Sequence, residues 1–188
     1  MNKNVYVFLC GTKTKVSRLV QFFTCRYLSH SALSLDDKFD NMYTFGRFTL
    51  KAFPSGFNVE DIRKNILKKH EDCKCKVLRL SVTEEQFDGI KNEIEKYNAE
   101  REKYKYAVAG VVLCFFRIPA RFRYRRFCSQ FVADVLTDGA GIKMPRKPAL
   151  MRPNDFTALE GAEVVFEGTI KGLALKTDES PRQQEDTL

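Results

Sequence analysis

The sequence lacks tryptophan and has only two histidines, His30 and His70, among its 188 residues. It also lacks a long apolar run, since the longest, residues 107–116, is about half of what a membrane-spanning helix needs. The apolar run at residues 5–10 is too short for a secretory signal. We therefore expect a cytoplasmic protein, with attachment to the periphery of a membrane as the open alternative.

Acidic residues are fewer than basic ones: 24 Asp and Glu stand against 32 Lys and Arg, a formal net charge of +8. A basic chain suggests an anionic partner, which is a nucleic acid, an anionic membrane or a phosphorylated small molecule. The 44% hydrophobic and 30% charged residues are ordinary for a globular protein and exclude wholesale disorder or a fibrous repeat. No nucleic-acid-binding motif is present, so nucleic acid is the least favoured of these partners.

The six cysteines do not predict disulfides, because no secretory signal directs the chain to an oxidising compartment. His70, Cys73 and Cys75 are spaced more tightly than the ligands of a zinc knuckle, and no second Cys or His pair follows. We therefore expect neither a metal nor another cofactor. One cysteine, Cys128, differs from the others in having polar and basic surroundings.

Length and periodicity predict a single domain over residues 1–175, with a helical insertion at about 83–120 and a disordered tail at 176–188. The helix at 83–103 begins with a capping box formed by Thr83 and Gln86. A second helix, at 127–137, faces the core. The predicted strands are residues 5–10, a hairpin over 31–45, a short strand at 48–53, and strands at 76–82 and 164–173.

Cys128 lies in the first turn of the predicted helix at 127–137. The helix dipole and the free amides of that turn favour the thiolate, and the arginines just upstream act in the same direction. A nucleophilic cysteine needs a base, and His30, at the start of a strand, suits that role better than His70 in its lysine-rich stretch. The alternative is that Cys128 and His30 are structural residues, and their spacing alone does not decide between the two.

Three stretches carry a resemblance to a known family: YLSHSALSLD at 27–36, MYTFGR at 42–47 and FCSQFVADVL at 127–136. Over roughly residues 5–160 the chain resembles the circularly permuted branch of the NlpC-type papain-like superfamily. That branch includes the bacterial YiiX-like proteins and is distantly related to lecithin–retinol acyltransferase. Histidine ahead of cysteine in the chain is typical of the permuted branch, since ordinary papain-like enzymes place cysteine first.

The resemblance implies an α+β fold in which an antiparallel sheet packs against the helix that bears Cys128. It implies Cys128 as nucleophile, His30 as base and Thr44 as the third residue, which orients the histidine. Tyr43 and Glu60 are the other candidates for that third position. The residues expected to line the substrate site are Tyr27, Tyr43, Arg47 and Ser129.

The activity implied is that of a cysteine amidase or peptidase, or of an acyltransferase, acting through a thioester on Cys128. Its substrate is then a peptide, a cell-wall fragment or a lipid with an amide or ester bond. The alternative is a non-catalytic or membrane-surface binding module on the same fold. Residues 107–116 are either a lid or wall for an acyl chain or a core element. The arginines that follow are either a site for phosphate, carboxylate or an anionic membrane, or a solvated face: Arg117, Arg121, Arg123, Arg125 and Arg126.

Overall fold

The computed structural model describes residues 2–11, 28–47 and 55–179. Within these ranges one eight-stranded sheet runs in the order β7-β6-β4-β3-β2-β1-β5-β8, and only the pair β6–β7 is parallel. The strands are β1 Lys3–Cys10, β2 His30–Ser34, β3 Met42–Arg47, β4 Ser55–Glu60, β5 Lys74–Val82, β6 Lys105–Tyr106, β7 Arg125–Arg126 and β8 Ala162–Thr169.

The helices cover both faces of the sheet, so the fold is mixed α+β, as expected. A π-helical segment, Ile62–Leu67, leads into a short α-helical turn, and two 3₁₀ segments, Pro148–Leu150 and Pro153–Ala158, follow the cysteine-bearing helix. The α-helices are α1 Lys68–His70, α2 Glu84–Ala99, α3 Val108–Phe115, α4 Cys128–Ala140 and α5 Ile170–Glu179. None of the helices in the described ranges combines the length and the apolar character that crossing a bilayer requires.

Two hydrophobic cores follow from the alternation of side chains along β1. Val7 and Leu9 belong to the core on the side of α2 and α4, whereas Phe8 and Cys10 belong to the core on the side of the π-helical segment and α5. A strand that is covered on both faces needs apolar residues on both, which explains the continuous apolar run at residues 5–10.

One aromatic side chain contributes strongly to the packing of helix α4 on the sheet. The ring of Phe131, which is fully buried, lies 5.3 Å from Phe45, 5.6 Å from Phe57 and 5.0 Å from Tyr97, measured between ring centroids. Phe45 and Phe57 belong to β3 and β4, while Tyr97 belongs to α2. Phe131 therefore joins α4 to the sheet and to α2 at a single point, one turn after Cys128.

Several predicted boundaries need adjustment. The capping box of Thr83 and Gln86 is confirmed, but the helix that it begins ends at Ala99 rather than near residue 103. The last strand ends at Thr169, and the chain then forms α5, which continues through residues 176–179 of the predicted tail. The predicted strand at 48–53 and residues 180–188 lie outside the described residues, whereas β4 was not predicted.

Helices α2 and α4 cross where two glycines meet. A Cβ atom added to Gly89 would lie 2.0 Å from the carbonyl oxygen of Gly139, and one added to Gly139 would lie 2.8 Å from that of Gly89. Both distances are too short for a real contact, so the crossing requires glycine on both helices.

We predict that Gly89→Ala lowers the free energy of unfolding by about 1–3 kcal/mol, because the helices must separate to accept the methyl group. Urea denaturation measures the change. Asp88→Ala, at an exposed position of the same helix, is the matched control and should change the free energy of unfolding by less than about 0.5 kcal/mol. Equal stabilities for the two variants would contradict the close crossing.

Candidate active site

The chain brings Cys128 to the first position of α4. Strand β7 pairs with β6, and Phe127, which is buried and extended, then forms the N-cap of the helix. The backbone N–H groups in the first turn of a helix have no partner within it, and they carry the positive end of the helix dipole. The sulfur of Cys128 is therefore held beside unpaired donors, although its residue is only 5% exposed.

His30 begins β2, where it pairs in register with Cys10 of β1. Its ring Nε2 lies 3.1 Å from Oε2 of Glu60, and both side chains are only slightly exposed, at 14% and 16%. Its ring also interacts with the thiol of Cys128, and each group shifts the pKa of the other toward the charged form. Because Nε2 contacts Glu60, Nδ1 is the ring nitrogen left for the thiol. Cys128, His30 and Glu60 thus form one connected chain of polar groups.

The ionisation of this pair is set by competition between burial and charge. Burial by itself would raise the pKa of Cys128, but the hydrogen bond and positive charge of His30 lower it below its usual value. Burial by itself would lower the pKa of His30, but the negative charge of Glu60 and the bonds to Cys128 and Glu60 raise it to about 10. Both shifts favour the pair of a thiolate and an imidazolium over the pair of neutral groups.

Ser31 contributes further to this state. Its backbone N–H lies close enough to the sulfur of Cys128 to lower the pKa of the thiol. Its hydroxyl is buried and has no hydrogen-bond partner among the described residues. Two of the arginines ahead of Cys128, Arg121 and Arg126, are bound to a carboxylate of α4.

That carboxylate is Asp134, which is buried. Its Oδ2 lies 2.6 Å from Nε of Arg126, and its Oδ1 lies 2.9 Å from Nη2 of Arg121. Two of the five arginines predicted to form an anion site are therefore already neutralised within the fold. The other three, Arg117, Arg123 and Arg125, are exposed.

Glu60, rather than Thr44, contacts the imidazole. The Thr44 hydroxyl is buried and donates to the carbonyl oxygen of Ser31 at 2.7 Å, so it orients the backbone next to His30 and not the ring. Glu60 is reached only because β4 pairs with β3, and the sequence analysis did not predict β4. Alternation of Phe57 and Val59 with polar neighbours was the available signal for that strand.

The residues predicted to line the substrate site are only partly brought together. Ser129 is buried beside Cys128, and its hydroxyl donates to the carbonyl oxygen of Met151 at 2.7 Å. Tyr43 stacks on Phe57 in the core and is not among the residues that line the cavity described below. Arg47 ends β3, where its backbone pairs with β4, and Tyr27 lies outside the described residues.

An apolar cavity of about 140 Å³ opens beside Cys128. One wall is α3 with the residue that follows it, and the opposite wall is the segment that includes Met151. The lining residues are Ser29, Tyr106, Val111, Val112, Cys114, Phe115, Phe116, Phe127, Cys128, Ser129, Met151, Arg152 and Pro153. The sequence allowed three roles for residues 107–116: a lid, a wall or a core element. In the structure α3 forms a wall of this cavity.

The described residues include no group of three metal-ligating side chains close enough together to hold a metal ion. Comparison with models of known protein families and with curated proteins finds no match, so the connected side chains of Cys128, His30 and Glu60 are the basis for a functional assignment.

We predict that Glu60→Gln raises the pH at which Cys128 becomes reactive by about one pH unit. Loss of the carboxylate charge lowers the pKa of His30, and a less charged ring stabilises the thiolate less. The pH dependence of alkylation by iodoacetamide, read at Cys128 by mass spectrometry, measures this change. Cys114, which lines the same cavity and whose pKa is raised by burial, is the internal control.

Thr44→Val is the matched substitution for Glu60→Gln. It should leave the alkylation profile of Cys128 unchanged and lower the free energy of unfolding by about 1–3 kcal/mol, since the Ser31 carbonyl loses a buried donor. A shift in the profile for Thr44→Val but not for Glu60→Gln would assign the third position to Thr44 after all.

Proposed function

We propose that the protein is a cysteine hydrolase or acyltransferase in which Cys128 is the nucleophile, His30 the acid and base, and Glu60 the residue that orients His30. The observation that carries this proposal is the connected chain from the sulfur through the imidazole to the carboxylate, beside an apolar cavity. Structural cysteines that are buried have raised pKa values, as Cys10 and Cys75 do here, whereas the pKa of Cys128 is lowered.

Acylation begins when the thiolate attacks the carbonyl carbon of an amide or ester. A C–S bond forms, and the carbonyl electron pair moves onto oxygen, where the free N–H groups at the start of α4 stabilise the negative charge. The tetrahedral intermediate then collapses: the bond to the leaving group breaks, and the imidazolium of His30 gives its proton to the departing nitrogen or oxygen. The product on the enzyme is a thioester of Cys128.

In deacylation, His30 acts as a base instead of an acid. Neutral His30 takes a proton from water or from another acceptor, which attacks the thioester carbon, and the thiolate leaves with the electrons of the C–S bond. Water as acceptor gives hydrolysis, and an alcohol or amine gives acyl transfer. Glu60 holds the ring in position during both steps, which is the role of the third residue in such a triad.

The cavity favours a substrate whose acyl part is apolar. Peptides, cell-wall fragments and lipids all contain amide or ester bonds, but the wall formed by α3 has only hydrophobic side chains to offer. An apolar chain or side chain attached to the scissile carbonyl fits there better than a sugar or a charged group.

The fold that we propose is the circularly permuted papain-like one. Its support is the order of the elements, since the histidine strand precedes the helix that begins with the cysteine, and that helix packs on the antiparallel sheet. The resemblance of the stretches at 27–36 and 127–136 points to the same family.

We predict that Cys128→Ala and His30→Ala each lower kcat/KM by about 10³-fold or more, because each removes a member of a unit that works together. Release from a panel of fluorogenic acyl esters and amides with short to long chains measures the effect. Cys73→Ala, outside the cavity, is the control and should keep full activity.

The intermediate gives an independent test. Intact-mass spectrometry of the wild-type protein with a slow ester substrate should find an added acyl mass on Cys128 that hydroxylamine removes. Binding of the esters without turnover or adduct would sink the proposal and favour the non-catalytic binding module.

The charge state of the pair predicts the pH profile of kcat/KM. Activity should rise with pH as the thiol ionises, with a midpoint below the usual value for cysteine, because the pKa of Cys128 is lowered. It should fall again near pH 10 as His30 loses the proton that it gives to the leaving group. An activity that keeps rising above pH 10 would contradict His30 as the acid.

A further inference from the structure

Exposed hydrophobic side chains are concentrated on α3 and the residues that follow it. Four of the six large apolar side chains that are exposed in the described residues lie between positions 108 and 118. We call these four the apolar patch: Val108, Val112, Phe116 and Ile118, which are 43% to 64% exposed. Val108, Val112 and Phe116 are four residues apart, so they lie along one side of the helix.

The residues that adjoin the apolar patch in the chain are rich in positive charge. Residues 103–133 include seven Lys or Arg and no Asp or Glu. Arg117, Arg123 and Arg125 are exposed, and within the part of the chain that the structure describes none of them pairs with a carboxylate. The segment that carries them returns from α3 to β7, which pairs with β6 directly ahead of α3. Apolar and cationic side chains therefore share one surface.

Arg117 occupies a position that ordinarily favours glycine. Its φ is +60°, its N–H donates to the carbonyl oxygen of Cys114, and the N–H of Ile118 donates to that of Leu113. These two bonds are those of a Schellman motif, whose left-handed residue is usually glycine because a side chain is strained there. The protein tolerates this strain, and the result is a guanidinium within the apolar patch.

The mouth of the cavity lies in the same surface. Val112 and Phe116 belong both to the apolar patch and to the cavity lining, and among the described residues they are the only lining residues that are exposed. The opening therefore lies among hydrophobic side chains, with Arg117 directly after Phe116 in the chain and Cys128 among the buried lining residues.

We infer that this surface docks the protein onto an anionic lipid bilayer, with the cavity mouth facing the membrane. Apolar side chains on one face of a helix enter the boundary between headgroups and acyl chains, while Lys and Arg beside them attract anionic headgroups. A nucleic acid would engage the arginines but leave the four apolar side chains in water. The inference concerns binding and stands independently of the proposed chemistry.

Flotation of the full chain with vesicles tests the inference. The protein should bind phosphatidylcholine vesicles that contain phosphatidylserine, should bind pure phosphatidylcholine vesicles far less, and should be released as salt screens the charges. Ile118→Glu and Val108→Glu, which do not line the cavity, should weaken partitioning about tenfold. Val164→Glu and Leu175→Glu introduce the same charge at exposed apolar positions elsewhere and should bind as the wild type does.

Arg117→Gly separates binding from folding. It removes one charge from the surface and also relieves the left-handed strain, so we expect vesicle affinity to fall about fivefold while the thermal midpoint rises by about 2 °C. Misfolding cannot produce these opposite changes together. Cys128→Ala should bind vesicles normally, so failure of the proposed catalysis and failure of docking are distinguishable.

Three results would overturn the inference. The first is equal binding to neutral and anionic vesicles, or no binding to either. The second is normal vesicle binding by Ile118→Glu or by Arg117→Gly. The third is self-association in size-exclusion chromatography that Ile118→Glu abolishes in a protein that does not bind vesicles, since a second copy of the chain would then be the occupant of the apolar patch.

Discussion

The interaction on which the site depends is the buried contact between Cys128 and His30. Burial raises the pKa of a thiol and lowers the pKa of an imidazole, so either group alone would be neutral in this position. Placed together, and with Glu60 behind the ring, the two groups stabilise each other's charges strongly enough to reverse both trends. Because one group belongs to a helix and the other to a sheet, the arrangement exists only as long as those two layers keep their relative position.

The packing of α4 maintains that position through contacts of different kinds. Phe131 lies among aromatic rings from the sheet and from α2, and the glycine pair at positions 89 and 139 lets the two helices approach until their backbones touch. Further along α4, Asp134 holds Arg126 and Arg121, which precede the helix in the chain. An uncompensated buried charge is costly, so loss of either partner would disturb the approach to Cys128 as well as the helix itself.

Features that depend on local sequence could be predicted from the sequence alone. The cap of α2 and the apolar face of α4 are set by residues within a few positions of one another, and both were predicted. The contact of Glu60 with His30 depends on the pairing of β4 with β3, which follows from long-range packing and left no strong local signal. Long-range packing also explains why the sequence suggested arginines that are available to an anionic partner. The carboxylate that binds Arg126 belongs to Asp134, which is brought close to it only when α4 has formed. The strand predicted at 164–173 ends at Thr169 because Ile170 and Leu173, three residues apart on a helix, both pack into the second hydrophobic core.

The segment that forms one wall of the cavity is held to the sheet by two backbone hydrogen bonds at its ends. Both ends of the segment that includes α3 are tied to each other: the N–H of Lys105 donates to the carbonyl oxygen of Tyr124, and that of Ala107 to the carbonyl oxygen of Arg126, each at 2.9 Å. The segment between these two bonds leaves the sheet after Ala107 and returns to it at Arg125, and its last residues are held in place by further contacts: Arg121 pairs with Asp134, and the carbonyl oxygen of Phe122 accepts from Arg126. Residues 108–120 are therefore the part of the wall whose length and composition can change what the cavity accepts while the nucleophile, the base and the sheet keep their positions.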